Sequence, residues 1–380
     1  MRQEKELILQ ELLKTIEDLI RFKTVDGNYD EFYASVEYIE KFFEGTGVFI
    51  QKHFFGKYPA LFISTKETKT PEIMFQGHVD VVNGNPEQFI PKIEGDRLYG
   101  RGSVDMKGFD ALALHLIREL ALSGGDYDVG LMLTFDEEVG SENGASKMAE
   151  LGYGGKKIFN GDGGYNFAVI HGEKGILKIK LEVSAKPGRH PYVWKGKNAF
   201  DLLIDDYRAI SKLFPENGIA TEDDNWHSTF SIYDVKIEND EFYPPKRAEA
   251  KMNIYFTDDL SVNQLLVKIL SAAQYTRIKK ITGSERVFLN PNDKCVVRLK
   301  EIMEQNFGRE IIIRTENGSS DARYFTNAGA PIVIVKVVGE DFHGDNERLK
   351  IPYLLPLYDS MKEFVYQAVN KEKIFEGETH

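Results

Sequence analysis

Residues 73–82, IMFQGHVDVV, begin a stretch that runs through GRGSVDMKG at 100–108 to LMLTFDEE at 131–138. Its apolar runs, 73–75 and 129–135, have the length and composition of buried strands. Chemically active side chains stand at their ends: His78 and Asp80 after the first, Asp136, Glu137 and Glu138 after the second. In an open α/β sheet, ligands bind beyond the carboxyl ends of the strands, so these positions form a candidate metal site. If the first strand continues, Asp80 shares a face with His78. Its carboxylate then takes the second imidazole N–H and fixes the tautomer, which makes Asp80 an orienter and not a ligand. Three adjacent acids repel one another; a cation relieves that, and hydrolysis needs one carboxylate left as general base.

Working outward, Asp105 immediately precedes a helical pattern carrying Leu112, Leu116 and Leu120, so its alternative reading is a helix N-cap. A short strand at 157–160 runs into Gly-Asp-Gly-Gly and exposes Asp162 on a turn, and His171 nearby reads as a loop histidine. Upstream, Leu7, Ile8, Leu12, Leu13, Ile16, Leu19 and Ile20, then Phe32, Val36, Ile39 and Phe43, recur at helical spacing and mark core-facing helices. Residues 48–55 and 60–64 flank GKYP as a hairpin, with His53 a surface strand residue. From Gly175 the order is a strand through ILKIKLEV, a helix at 198–213, strands at 228–237 and 248–256, a helix at 261–273 and a last strand at 284–288. That βαββαβ order is ferredoxin-like. A helix at 293–306, a strand at 310–314, GSSDARYF as a loop entering a helix, and the buried strand PIVIVKVVG lead to GEDFHGDNE, which places His343 after a strand end.

The chain has 380 residues, 42% of them hydrophobic, which is beyond the size at which single cores usually divide. The expected division is a discontinuous metal-binding domain, 1–174 with 289–380, and an inserted domain, 175–288. A formal charge of -12 without a basic stripe argues against nucleic acid. Cys295, the single cysteine, excludes an intramolecular disulfide framework and a multi-thiolate zinc site, and agrees with a reducing cytoplasm. MRQEKELILQ lacks signal-peptide features, and the apolar run ending in KVV is too short to span a bilayer, so neither secretion nor a membrane is expected. If His343 joins His78, the segments on either side of the insertion form one sheet. Two histidines and three carboxylates can then hold two divalent ions with one carboxylate bridging; the N/O set suits zinc, with cobalt or manganese as alternatives.

In that order, GHVDVV, GRGSVDMKG, DEEVGSENGA, GSSDARYF and FHGDNERLKI resemble the signatures of the dinuclear zinc amidohydrolases: acetylornithine deacetylase, succinyl-diaminopimelate desuccinylase, aminoacylase and glutamate carboxypeptidase. The resemblance spans nearly the whole chain. It implies an α/β, zinc-peptidase-like catalytic domain with a central mixed sheet flanked by helices, plus an inserted ferredoxin-like lid and dimerisation domain. It implies that Asp105 bridges two metals, with His78 and Asp162 on one ion and Glu138 and His343 on the other. Asp80 would orient His78, Glu137 would be the general base, and the Asp105–Met106 peptide would be cis. AKPGRHPYVWKGKNAF resembles the lid segment, so His190 would reach the partner subunit's site and donate to the oxyanion. Its spacing to Asn198 is one residue shorter than the family pattern, and an ordinary loop histidine is the competing reading.

A second departure bears on substrate. Where many members carry an asparagine before a proline and an arginine ending the lid strand, this chain has Phe242 and Tyr255, and a phenol cannot replace a fork-shaped cation on a carboxylate. Arg323, with Ser320 beside it, could supply that charge; the competing reading is a surface helix residue. The whole points to a cytoplasmic, homodimeric two-metal hydrolase of N-acyl amino acids, or alternatively a dipeptidase or carboxypeptidase on short peptides. A non-catalytic metal-binding homologue is disfavoured by the intact Glu137 and five ligands. A nucleotide-binding protein is disfavoured because GRGSVDMKG lacks GxGxxG or Walker spacing.

Overall fold

In the computed structural model, residues 2–220, 225–238, 240–326 and 329–369 are described. The chain divides into two compact units, one of Met1–His171, Phe288–Arg314 and Ser320–His380, the other of Gly172–Val287 with Thr315–Ser319. The last segment lies outside the 175–288 span expected for the insertion.

The larger unit is built on a nine-stranded sheet. Its path runs Phe49–Phe55, Tyr58–Ser64, Val129–Thr134, Ile73–His78, Ile158–Asn160, Ile332–Ile334, Ala168–Glu173 and Val287–Phe288, and Ile312–Glu316 pairs with Ala168–Glu173. The sheet is mixed. Ile73–His78 is parallel to both Val129–Thr134 and Ile158–Asn160, with His78 opposite Thr134 and Gln76 opposite Asn160. Three parallel strands therefore end on one edge, which is what brings their following residues together. These central strands are buried throughout, so they read as continuous apolar runs instead of alternating ones.

Helix Lys107–Leu122 packs on Ile73–His78 and Val129–Thr134, and against Arg2–Arg21 and Leu354–Val369. Phe75, Phe109, Phe159 and Phe364 interleave in that core, with ring centroids 5.5–6.4 Å apart. Leu7 is the exception among the expected core residues: at 57% exposure it lies outside the buried stripe that begins at Leu12.

The smaller unit is ferredoxin-like. Its sheet order is Thr229–Ile237, Arg247–Phe256, Gly175–Ser184, Arg277–Ser284, all antiparallel, with helices Ala199–Ser211 and Val262–Ala272 on one face. Leu177, Ile179, Leu181 and Val183 alternate into its core. The opposite face carries an ion-pair ladder, Lys180 to Glu182 and Glu249 and Lys279 to Glu182 at 2.7–2.8 Å. The last strand falls at Arg277–Ser284 and not at 284–288. Its RIKKITGS sequence is exposed or half-buried throughout, and lysines on an edge strand hide the apolar alternation.

Other expectations shift locally. Ile73–His78 ends at the histidine, so Asp80 lies beyond the strand. His171 sits inside Ala168–Glu173, where its Nδ1 bonds the Leu289 carbonyl at 2.7 Å; a buried strand made of AVIHGE has too many polar residues to be read as one. The apolar run after Pro331 forms strand only over Ile332–Ile334. GSSDARYF enters a single 3-10 turn, Asp321–Tyr324.

Candidate metal centre

His78 closes its strand fully buried, and its Nδ1 donates to the Asp80 backbone carbonyl at 3.0 Å. That holds the ring and aims Nε2 at Asp105 Oδ1, 3.1 Å away. The Asp80 carboxylate is farther off, Oδ1 at 3.6 Å, while Oδ2 accepts the Glu138 N–H at 3.0 Å. Asp80 thus orients His78 mainly through its main chain, and its side chain fastens the Glu138 loop.

Asp105 is not a helix N-cap: Met106 holds that position without a side-chain cap, and the Asp105–Met106 peptide is cis. Instead the two carboxylate oxygens face two histidines. Oδ1 meets His78 and Oδ2 lies 2.9 Å from His343 Nε2, which also meets Glu138 Oε1 at 3.1 Å. Two groups of ligand atoms, His78–Asp105–Glu138 and His78–Glu137–Asp162, each lie within 4.8 Å of one another. The donors are imidazole nitrogens and carboxylate oxygens, with one carboxylate turned toward both histidines, and this fits a pair of divalent ions. Asp162 is set by Asn160, whose Oδ1 accepts the Asp162 N–H at 2.7 Å and whose Nδ2 donates to Gln76 at 3.2 Å.

Glu137 belongs to the same cluster, yet it faces different neighbours from Glu138. Burial raises its pKa well above the usual range, the Asp162 charge adds to this, and His78 and Arg323 oppose it. Arg323 lies 3.7 Å from its Oε1. The surface reading of Arg323 fails: it is 8% exposed, donating to Ser141 Oγ at 2.8 Å and to the Ser320 carbonyl at 3.0 Å. Ser320 is also buried and accepts the Ala322 N–H at 3.3 Å.

His190 and Tyr255 lie in the smaller unit. His190 is exposed at the head of a 3-10 turn, its N–H donating to the Phe242 carbonyl at 3.3 Å. Tyr255 is half-buried on the sheet face opposite the core, between Ile176 and Thr229. Several buried polar residues around the centre escaped the sequence reading: Arg101, Lys107, Asp110, Asp321 and Glu347. Burial pulls Lys107 down to about 7 and pushes Asp110 well up, each opposed by the other's charge. Their only sequence signal is an ionisable residue inside an otherwise glycine-rich or apolar motif.

The imidazoles give a pH prediction. Hydrogen bonds to Asp105 and then Glu138 push His343 up to about 10; His78 is raised because Asp105 and Asp80 outweigh its burial. His343 is therefore protonated at pH 7 without metal, His78 holds its proton more tightly than a free imidazole, and ligation needs both neutral. Metal loading at pH 7 is expected to release protons, and affinity to rise with pH. The stability His343 lends the metal-free fold runs the other way, full below 6.5 and lost as pH rises through about 10. Calorimetry in buffers of different ionisation enthalpy counts the protons; none released would contradict the assignment.

The model of peptidase family M20/M25/M40 matches residues 74–367. The chain belongs to this family. A succinyl-diaminopimelate desuccinylase from Rickettsia massiliae is 26% identical over 393 residues, 93% of this chain and 99% of that one. Among solved structures, aminopeptidase PepT from Bacillus cereus has a TM-score of 0.74 at 16% identity, covering 95% of this chain and 99% of that one. An M20 family metallo-carboxypeptidase from Sulfolobus solfataricus has 0.71 at 18%, covering 94% and 99%. The YXEP protein of Bacillus subtilis, described as a dinuclear metal binding peptidase, has 0.70 at 13%, covering 97% and 99%. The fold is that of these peptidases, and the chain is a metal-dependent amidohydrolase. Among the described residues no helix is long and apolar enough to cross a membrane.

Proposed function

We propose that this amidohydrolase cleaves the amide bond of an N-acyl amino acid, using two divalent ions, zinc before cobalt or manganese. The observation that carries the reading is Asp105 set between His78 and His343 with Glu137 beside them. The similarity to desuccinylases over almost the full chain supports the N-acyl class. His78 and Asp162 would hold one ion, Glu138 and His343 the other, and Asp105 would bridge. When bound, the ions supply Lewis acidity to the scissile carbonyl and acidify water. Glu137, with its raised proton affinity, takes the proton from the attacking water and returns it to the departing amine nitrogen. Asp80 keeps His78 in register and Arg323 holds the Glu137 carboxylate. Since Arg323 also serves Ser141 and Ser320, it and Ser320 would meet substrate only at the base's side of the site.

The smaller unit would act as lid and dimerisation domain in a cytoplasmic homodimer, with exposed His190 reaching the partner's site. The lone buried Cys295 suits a reducing compartment. His190→Ala is expected to lower kcat by about 10²–10³-fold, the range for an oxyanion donor, with metal content unchanged. Full activity in that variant would end the oxyanion role.

Hydrolysis by the zinc-loaded protein is to be measured on N-acetyl, N-succinyl and longer N-acyl amino acids alongside dipeptides. Cleavage confined to N-acyl amino acids supports the proposal. Cleavage confined to dipeptides overturns it in favour of a peptidase.

A further inference from the structure

We infer that Arg101 and Glu347 form a buried clasp that sets Asp105 and His343 in one geometry, so that two metal ligands far apart in sequence are positioned as a unit. The inference rests on the two-metal reading but concerns residues outside the ligand set. Both residues are 2% exposed, and Arg101 Nη1 donates to Glu347 Oε2 at 2.7 Å.

Among the described residues, the Glu347 carboxylate takes its hydrogen bonds from the loop that carries Asp105. Oε2 also accepts the Gly102 N–H at 3.0 Å, while Oε1 accepts the N–H of Val104 at 2.9 Å and of Asp105 at 3.1 Å. This carboxylate is turned to donors, so it holds a ligand's backbone and does not itself face an ion. The other half of the clasp reaches the opposite loop. Arg101 Nη2 donates to the His343 carbonyl at 3.3 Å and to the Asn83 carbonyl at 3.5 Å.

The His343 loop needs such a hold. His343 and Asp341 both adopt positive φ, 61° and 58°, a region disfavoured for residues with a side chain. Gln88 adds a second brace from the same side: its carbonyl accepts the Arg101 N–H at 2.7 Å, and its Nε2 donates to the Gly344 carbonyl at 3.0 Å and the Asp345 carbonyl at 3.2 Å. A buried ion pair is seldom better for stability than apolar residues of the same volume. Its use here is geometric. One salt bridge fixes the backbone of Asp105 on one arm and that of His343 on the other, and these are the residues whose side chains meet at 2.9 Å.

The test is zinc binding to chelator-stripped full-length protein, read by competition with a chromophoric chelator, with thermal unfolding of each metal-free form beside it. Glu347→Gln places an amide donor against backbone N–H groups and is expected to weaken zinc binding about 10–100-fold, as loss of a ligand's supporting partner does. Arg101→Lys keeps a cation opposite Glu347 but has no second arm for the His343 carbonyl. It is expected to lose on the order of tenfold, mainly for one of the two ions. If Glu347→Gln does not fold, Arg101→Lys decides. Variants that melt lower yet bind both ions with wild-type affinity would reduce the clasp to a purely structural pair. Wild type that takes up no zinc would remove the two-metal reading and this inference with it; wild type that binds two ions leaves the variants to judge the clasp alone.

Discussion

Replacing Glu137 by glutamine is expected to lower turnover by roughly 10²–10⁴-fold, the contribution of a positioned general base, while the protein keeps both ions. The amide preserves shape and the contact toward Arg323, 3.7 Å away in the parent, but cannot take a proton. Elemental analysis of the dialysed variant is the deciding measurement, because Glu137 also stands within ligand distance of His78 and Asp162. Loss of an ion together with activity would mean that Glu137 and Glu138 have been given each other's roles. The local geometry favours the assignment made here: His343 meets Glu138 at 3.1 Å, and Glu138 is fastened through its N–H to Asp80.

Asp105→Asn is expected to be at least as damaging by a different route, with metal content falling toward zero and activity lost with it. In the parent, burial works to raise the Asp105 pKa, but the hydrogen bonds to His343 and His78 outweigh it and hold the carboxyl ionised. Asparagine offers one acceptor oxygen and no charge, so it cannot serve both histidines. The His343 pKa, whose first cause of elevation is Asp105, should then drop toward the ordinary histidine value, which an NMR titration of the metal-free variant would show. Two ions retained at normal affinity would contradict the bridging role.

Much of this is legible in the amino-acid sequence. The βαββαβ order of the smaller unit follows from periodicity, since each local element reveals which of its faces is apolar. The candidate ligands stood out because motif and position agree: His78 closes a parallel strand, and Glu138 and Asp162 each follow the end of another. Less legible were elements whose partners lie elsewhere. Arg277–Ser284 carries lysines because it is an edge, and Ala168–Glu173 buries a histidine and a glutamate within a strand. The sequence pattern weights such polar residues toward loop.

What the sequence determined by itself was the inventory: the family signatures, the two kinds of fold, the nitrogen and oxygen donors, and one acid more than the proposed ligand set uses. Only the tertiary structure decided which polar groups hold one another. It added the Asp80 main-chain carbonyl to the carboxylate as a partner of His78, decided for Arg323 as a buried neighbour of Glu137 over a surface helix residue, and joined Arg101 to Glu347 across 246 positions of chain. The physical reason is range. Apolar periodicity is written into every few residues, whereas a buried polar atom's partner is fixed only when distant segments close around it, and burial makes that pairing obligatory.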